Sequence, residues 1–272
     1  MTKVINEMPK LGMGTFRLEG DVCYDAVSMA LEEGYRHIDT AQIYGNEEQV
    51  GRAIKDSGIN REELFITTKV WNDKLSSEAF IPSVKESLSK LGQDHVDLLL
   101  VHWPAPPQGV SMAEYLNAAM AAKSQGLTKE IGVSNFTIEH LTQAINIIGA
   151  DNIFTNQVEV HPYLTNDRLR FFCEANDIHI TAYMPFAVGK VLKDETIMEI
   201  AHELGISAAQ VVIAWVLEHG MTTIPSSTKR AHLKANFDAR DMLLSDEHVA
   251  HIDGLNRNDR QATPDFAPQW DE

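Results

Sequence analysis

The sequence contains little cysteine, few positive charges and no long apolar run. Its 272 residues include two cysteines, Cys23 and Cys173, which are too few for a disulfide scaffold. Lys and Arg number 23 against 39 Asp and Glu, a formal charge of −16 that argues against a nucleic-acid partner or an anionic membrane surface. The longest apolar stretches, such as residues 211–217, fall far short of the ~20 residues that a membrane span needs. Because residues 1–12 also lack the apolar core of a signal peptide, we expect a cytoplasmic protein. We also expect a monomer.

The sequence does contain a regular alternation of short apolar segments and amphipathic segments. For example, Ala26, Val27, Ala30 and Leu31 share one face of a helix that Asp21 can cap. No low-complexity linker interrupts the alternation, so we expect one domain over residues 1–272, with residues 256–272 as a C-terminal tail. The predicted strands cover residues 11–16, 35–39, 64–70, 96–101, 129–133, 153–159, 178–183 and 221–225.

These eight strands predict an α/β fold. Strands that are apolar throughout pair in parallel and are buried on both faces. Eight strand and helix units in a chain of 272 residues favour a single-domain (β/α)8 TIM barrel. An open, doubly wound sheet remains the alternative, because periodicity alone does not show that a sheet closes.

Three familiar ligand-binding patterns are incomplete in this sequence. Gly12 and Gly14 begin a dinucleotide fingerprint, but Arg17 stands where its third glycine should be. The Gly-Lys pair at residues 189–190 lacks the remainder of a phosphate-binding P-loop. The Glu and His pairs at helical spacing, at residues 199 and 202 and at 248 and 251, have no further ligands nearby, so no metal site is predicted.

Polar side chains follow the predicted strands at their carboxyl ends, where the active sites of such barrels lie. Asp39 and Tyr44 follow the second strand, Lys69 ends the third and His102 follows the fourth. The later strands end near Ser134, Asn135, Gln157, Tyr183, Ser226, Ser227 and Thr228. Taken singly, each of these residues has an ordinary structural explanation, such as a helix cap, a surface charge or a core histidine. The first four, Asp39, Tyr44, Lys69 and His102, follow the adjacent strands two, three and four, and this position instead predicts one catalytic group.

A tyrosine, a lysine, an aspartate and a histidine together suit the delivery of a proton. A tyrosine hydroxyl ionises near pH ~10, so it is a weak acid at neutral pH. The ammonium of Lys69 would lower the pKa of Tyr44, Asp39 would hold that ammonium, and His102 would orient a carbonyl. Two alternatives remain: a barrel aldolase in which Lys69 forms a Schiff base, and a regulatory subunit that only binds a cofactor.

The order of several motifs resembles the aldo-keto reductase superfamily over essentially the whole chain. The matching segments are GMGTFRL, GYRHIDTAQIYGNEEQVG, FITTKVW, HVDLLLVHWP, EIGVSNF, NQVEVHPY, TAYMPF and IPSSTKR. The short chain and compact loops are similar to bacterial 2,5-diketo-D-gluconate reductases of the B type. The resemblance implies a carbonyl reductase that binds NADPH without a Rossmann fold and delivers hydride from nicotinamide C4. It implies a catalytic tetrad of Asp39, Tyr44, Lys69 and His102.

The resemblance also implies how the nicotinamide end of the cofactor is held. Ser134, Asn135 and Gln157 match the side chains that hold the nicotinamide carboxamide, and Tyr183 matches the aromatic residue that stacks on its ring.

The segment after strand eight departs from the family pattern of Lys-Ser followed by a phosphate-binding Arg. This chain has Ser226 and Ser227, followed by Thr228, and places His232 where that Arg falls. Lys229, Arg230 and the N-terminus of the next helix can replace the phosphate contact, and Asn236 matches the adenine-contacting position. We therefore expect NADPH to be preferred over NADH.

The substrate is expected to be a small carbonyl compound. Phe16, Trp71 and Trp103 match positions that line the family's substrate pocket, and the tail residues Phe266 and Trp270 can close over it. The loops at residues 104–111 and 186–190 are short, which predicts an open pocket suited to keto acids, methylglyoxal or small aldehydes. Lys190 and Arg260 are candidate partners for a substrate carboxylate.

Overall fold

Eight parallel strands form a closed barrel in a computed structural model that describes residues 8–106 and 108–271. The strands pair in chain order from β1 to β8. They are β1 Met13–Gly14, β2 His37–Asp39, β3 Phe65–Val70, β4 Val96–Val101, β5 Thr128–Ser134, β6 Thr155–Glu159, β7 His179–Tyr183 and β8 Thr222–Thr223. A parallel bridge from Leu11 to Thr223 joins the last strand to the first. The single-domain (β/α)8 prediction is confirmed, and the open sheet is excluded.

Helices follow the strands and cover the outside of the barrel. They are α1 Gly20–Glu32, α2 Glu47–Ser57, α3 Ser77–Leu91, α4 Met112–Ser124, α5 Ile138–Ile148, α6 Asp167–Ala175, α7 Glu195–Leu204, α8 Ala208–Glu218, α9 Arg230–Asp238 and α10 Asp246–Asp253. The apolar stripe predicted for α1 is buried, because Ala26, Val27, Ala30 and Leu31 face the barrel. The predicted cap is wrong: α1 begins at Gly20 with Glu19 before it, so Asp21 lies in the first turn.

The first and last strands are shorter than predicted, with two residues each. Their seam is unusually close, and two glycines allow it. A Cβ atom on Gly14 would lie 2.5 Å from the carbonyl oxygen of Ile224, and one on Gly12 would lie 2.6 Å from Nδ1 of His37. The glycine pair that resembled a dinucleotide fingerprint therefore serves close packing.

The described residues contain neither a single membrane-spanning helix nor a cluster of metal ligands. No single helix there is long and apolar enough to cross a membrane, whereas α7 and α8 meet that criterion only as a pair bent by 94°. Over the same residues, no group of three or more His, Cys, Asp or Glu side chains is placed to hold a metal ion.

Candidate active site

Lys69 and Asp39 form a buried ion pair at the carboxyl ends of β3 and β2. Asp39 lies opposite Thr67 in the parallel register, and Lys69 is two residues further along β3, so its side chain enters the barrel on the same side. Lys69 has an exposed fraction of 0%, and its Nζ lies 2.5 Å from Asp39 Oδ1 and 2.8 Å from the Thr40 carbonyl oxygen. A buried ammonium needs such partners, and here they fix its position.

Tyr44 and His102 stand beside this ion pair. Tyr44 ends a short 3-10 turn after β2, and its hydroxyl lies 3.5 Å from Nζ of Lys69. Leu100 lies opposite Lys69 in the register of β4, so His102, two residues later, also faces the barrel interior. The rings of Tyr44 and His102 meet edge to face with centroids 5.7 Å apart. The structure thus brings all four residues of the predicted tetrad together.

Burial sets the protonation states in this group. It raises the pKa of Tyr44 well above the ordinary value, and the negative charge of Asp39 raises it further. Burial lowers the pKa of Lys69, and Asp39 opposes that lowering. Burial and the charge of Lys69 hold the pKa of His102 well below its usual range, so its imidazole is neutral at pH 7.

The expected net lowering of the Tyr44 pKa is therefore wrong for this site, because burial and the charge of Asp39 outweigh the attraction of Lys69 for a phenolate. The ammonium directs its short hydrogen bonds to Asp39 and Thr40, and its contact with the phenol oxygen is longer at 3.5 Å. The charge of the ion pair is largely internal, so burial dominates at Tyr44.

A second hydrogen-bonded group adjoins the first. Tyr183 donates from its hydroxyl to Asn135 Oδ1 at 2.7 Å, and Asn135 Nδ2 donates to Ser134 Oγ at 3.1 Å and to the His102 carbonyl oxygen at 3.0 Å. Ser134 Oγ donates to the Gln157 backbone oxygen at 2.7 Å. These four residues, predicted to hold the nicotinamide end of a cofactor, form one continuous network.

Gln157 joins the two groups. Its Nε2 donates to Asp39 Oδ2 at 2.7 Å, so both carboxylate oxygens of Asp39 are engaged. The side-chain oxygen of Gln157 has no hydrogen-bond partner among the described residues and remains available as an acceptor. The amide, hydroxyl and aromatic groups present here fit a nicotinamide carboxamide and its ring.

Aromatic side chains surround the entrance to the tetrad. Trp71 packs edge to face on His102 with centroids 5.1 Å apart, and Phe16 lies 5.1 Å from the ring of Tyr44. The tail contributes Phe266, whose ring contacts Trp71 at 5.8 Å and Trp103 at 5.4 Å. The predicted pocket residues Phe16, Trp71 and Trp103 therefore line one space beside the tetrad, with the tail across it.

The residues predicted for the phosphate end lie on the loop after β8 and on α9. Ser226, Thr228, Lys229, Arg230 and His232 are exposed, Ser227 is half-buried and Asn236 is buried. Ser227 Oγ accepts a hydrogen bond of 3.1 Å from the backbone N–H of Lys229. Arg230 is a candidate for the phosphate contact, but its guanidinium already pairs with Glu32 of α1 and, at 2.7 Å, with Glu33. Pairing with two carboxylates reduces its attraction for a phosphate.

Two other candidates also have partners that the sequence did not indicate. Lys190 pairs with Asp259 at 3.2 Å on the surface. Arg260 donates to Asn166 at 3.0 Å and stacks on the ring of Trp270 at 3.8 Å. The surface pairing of Lys190 does not support a contact with a substrate carboxylate. Arg260 stays a candidate, because its buried Nη1 has no hydrogen-bond partner among the described residues.

Sequence reasoning missed Glu159, the charged residue that ends strand β6. It is fully buried, and it accepts hydrogen bonds from His161 and from two backbone N–H groups of the C-terminal tail. The signal was a single acidic residue between Val158 and Val160, in a strand where a charge needs a reason.

The Schiff-base alternative finds no support in the geometry. An amine that attacks a ketone must be neutral and accessible. Lys69 is fully buried and donates to Asp39 and Thr40.

Comparison with known proteins places this site in context. The aldo/keto reductase family profile matches residues 10–257. Methylglyoxal reductase DkgB of Escherichia coli O157:H7 is 51% identical over 265 residues, covering 97% of this chain and 99% of the relative. Glyoxal reductase of Bacillus subtilis strain 168 is 40% identical over 255 residues, covering 93% and 91%.

Solved structures show the same similarity. A crystal structure described as a 2,5-diketo-D-gluconic acid reductase B superposes with a TM-score of 0.94 at 42% identity, covering 97% of this chain and 94% of that one. An aldo-keto reductase, MGS-M4, from a Medee basin deep-sea metagenome library gives a TM-score of 0.89 at 38% identity, covering 97% and 96%.

Proposed function

This chain belongs to the aldo/keto reductase family of NAD(P)H-dependent enzymes that reduce carbonyls, and we propose that it reduces methylglyoxal and similar small carbonyls with NADPH. The observation that carries the proposal is the meeting of Asp39, Tyr44, Lys69 and His102 beside an aromatic pocket. The substrate class follows from the short loops and from the names of the relatives, which include a methylglyoxal reductase and a glyoxal reductase.

Tyr44 supplies the proton to the carbonyl oxygen. Its raised pKa keeps the hydroxyl protonated at neutral pH. An alkoxide is a stronger base than a phenolate, so proton transfer from Tyr44 to the forming alkoxide remains favourable. Lys69, 3.5 Å from the phenol oxygen, stabilises the negative charge that Tyr44 acquires, and Asp39 holds Lys69 in place.

His102 orients the carbonyl group. Its imidazole is neutral at pH 7, so it can hydrogen-bond to the carbonyl oxygen without adding a second positive charge beside Lys69. Trp71 packs on the His102 ring and limits its rotation. Proton donor and orienting group thus face the same substrate atom.

When bound, the nicotinamide supplies the hydride. Asn135, Ser134 and Gln157 would hold its carboxamide, and Tyr183 would stack on its ring. Asp39 fixes the amide orientation of Gln157, because a carboxylate can only accept and must face Nε2. The side-chain oxygen of Gln157 is then directed to accept from the carboxamide N–H.

The preference for NADPH rests on Lys229. Its ammonium forms no ion pair within residues 8–106 and 108–271, and it stands directly before the N-terminus of α9. A free cation and a helix N-terminus together attract a 2′-phosphate. Ser226, Ser227, Thr228 and His232 would complete that end of the site, Asn236 would contact the adenine, and Arg230 would contribute less because of its glutamate partners.

The experiment is NADPH oxidation measured with methylglyoxal, 2,5-diketo-D-gluconate, an aromatic aldehyde and a steroid ketone. We expect kcat/KM for methylglyoxal to exceed that for the steroid by about a hundredfold, since a bulky substrate must displace Phe266. A higher kcat/KM for the steroid would contradict the proposed substrate class. Failure of all four carbonyls to oxidise NADPH would instead favour the regulatory role.

A further inference from the structure

Glu159 is a fully buried carboxylate at the carboxyl end of β6, and both of its oxygens are engaged. Oε1 accepts from His161 Nε2 at 2.7 Å and from the Gln261 backbone N–H at 2.7 Å. Oε2 accepts from the Ala262 backbone N–H at 2.7 Å. Two of the three donors therefore belong to the C-terminal tail, more than 100 residues away in the chain.

The tail crosses the aromatic pocket between two attachment points. Glu159 holds it at Gln261 and Ala262, and beyond the pocket Asp271 Oδ2 accepts from the backbone N–H of Ile138 at 2.8 Å, at the start of α5. Phe266 lies between these points and contacts Trp71 and Trp103. The position of the Phe266 ring over the pocket therefore depends on how the tail is held on each side.

Only a carboxylate satisfies the donors at position 159. A buried carboxylate is costly without hydrogen bonds, so a detached tail would leave Glu159 with His161 alone. A glutamine would direct its NH2 group at one of the three donors, which would repel that donor. Glu159 thus favours the attached state of the tail at Gln261 and Ala262.

Glu159 lies on the same strand and the same face as Gln157, two residues earlier. Gln157 thus faces the proposed cofactor position, and Glu159 holds the tail that bounds the substrate pocket. We therefore expect a substitution of Glu159 to change the fit of the substrate while the contact of Gln157 with the cofactor is kept.

We propose that Glu159 is a positioning residue that sets the substrate range of this reductase by fixing the tail so that Phe266 closes over Trp71 and Trp103. The inference rests on the proposed reduction of small carbonyls. Among the described residues, the Glu159 side chain hydrogen-bonds to His161 and to the tail, and not to the tetrad. It also lies opposite Tyr183 in the register of β7, so the NADPH Kd must be measured to separate an effect on the tail from one on the cofactor end.

The test compares Glu159→Gln, Phe266→Ala and the double variant with methylglyoxal and an aromatic aldehyde as substrates. We expect Glu159→Gln to lower the preference for methylglyoxal about tenfold, through a raised KM for methylglyoxal and a lowered KM for the bulky aldehyde. Phe266→Ala should act in the same direction. The double variant should match Phe266→Ala alone, because both changes remove the same closure.

Two controls separate this role from a general loss of structure. Glu130→Gln removes a partly exposed carboxylate that pairs with Lys123, far from the tail, and should leave the preference unchanged. Ala262→Pro removes one tail donor without changing the barrel interior and should reproduce the effect of Glu159→Gln if that variant does not fold. The NADPH Kd should stay within about twofold in each folded variant, because no cofactor contact is altered.

Hydrogen exchange supplies a readout that does not depend on activity. The amide protons of Gln261 and Ala262 should exchange at least about tenfold faster in Glu159→Gln than in the wild type. Additive effects in the double variant, or unchanged exchange at these two amides, would overturn the inference. Loss of protection in a protein that reduces none of the carbonyls would support the attachment and overturn the proposed function instead.

Discussion

Gln157 donates a hydrogen bond to Asp39 across the interior of the barrel, with 2.7 Å between Nε2 and Oδ2. These residues stand on β6 and β2, which lie four strands apart in a closed barrel of eight and therefore face each other. The proposed cofactor contact and the proposed proton-transfer group are thus connected by one hydrogen bond.

Replacing Gln157 should affect both groups. Gln157→Met removes the donor to Asp39 and the acceptor for a carboxamide while keeping a similar side-chain length. We expect the NADPH Kd to rise about tenfold and kcat to fall about tenfold. Fluorescence titration and steady-state kinetics measure the two effects. A change in Kd alone would show that Asp39 does not depend on this bond.

Tyr44→Phe should abolish reduction and leave cofactor binding nearly intact. The substitution removes the proton donor but keeps the ring that packs on Phe16 and His102. We expect kcat to fall at least about a hundredfold, the range of general acid catalysis, with an NADPH Kd within about twofold of the wild type. Turnover near the wild-type rate would remove Tyr44 from the mechanism.

The raised pKa of Tyr44 predicts opposite pH profiles for the two directions of reaction. Reduction needs the protonated hydroxyl, so its rate should stay flat from pH ~6 to ~9. Alcohol oxidation needs the ionised form, so its rate should rise about tenfold per pH unit over that range. An oxidation rate that levels off near pH ~7 would mean that Tyr44 ionises far more easily than its burial indicates.

Removing single charges near α9 should change cofactor selectivity in both directions. Lys229→Ala should raise the NADPH Kd about fivefold and leave the NADH Kd unchanged, because only the phosphate contact is lost. Glu33→Gln should remove one of the two carboxylates that pair with Arg230 and lower the NADPH Kd by about twofold. Titration of each variant with both cofactors checks the pair. Equal changes in the Kd values of NADPH and NADH would show that these residues do not bind the 2′-phosphate.

His37 should make the fold less stable in acid. Burial lowers its folded pKa to about 4 from 6.5, so the unfolded chain binds the proton more readily. The contribution of neutral His37 to the free energy of unfolding is fully present above pH ~6.5. It is lost as the pH falls toward ~4, and the loss amounts to up to about 3 kcal/mol. Urea unfolding of wild type and His37→Asn at pH ~7 and ~5 tests it. The wild type should lose more of its free energy of unfolding than the variant on acidification.

The sequence predicted the barrel and the tetrad well because both follow from local patterns. Apolar strands at a regular period indicate a parallel barrel, and residues at strand ends must meet at one rim. Register alone brings Asp39, Lys69 and His102 together. Lys69 lies two residues beyond the partner of Asp39, and His102 lies two residues beyond the partner of Lys69.

Long-range polar contacts could not be predicted in this way. Arg230 meets Glu32 and Glu33 across almost 200 residues of sequence, so nothing near Arg230 indicates that its charge is already paired. The direction of the Tyr44 pKa depends on a balance between burial and the Lys69 and Asp39 pair, which needs distances. Glu159 could be flagged as unusual from its apolar neighbours, but its tail partners could not be named.

The contact between Asp271 and the first backbone N–H of α5 bears on how the protein should be produced. An affinity tag fused to the carboxyl end would begin next to this contact and compete with the attachment that holds Phe266 over the pocket. Kinetic constants from such a preparation would describe a looser enzyme with a broader choice of aldehydes. Purification with an amino-terminal tag leaves the contact between Asp271 and Ile138 unchanged.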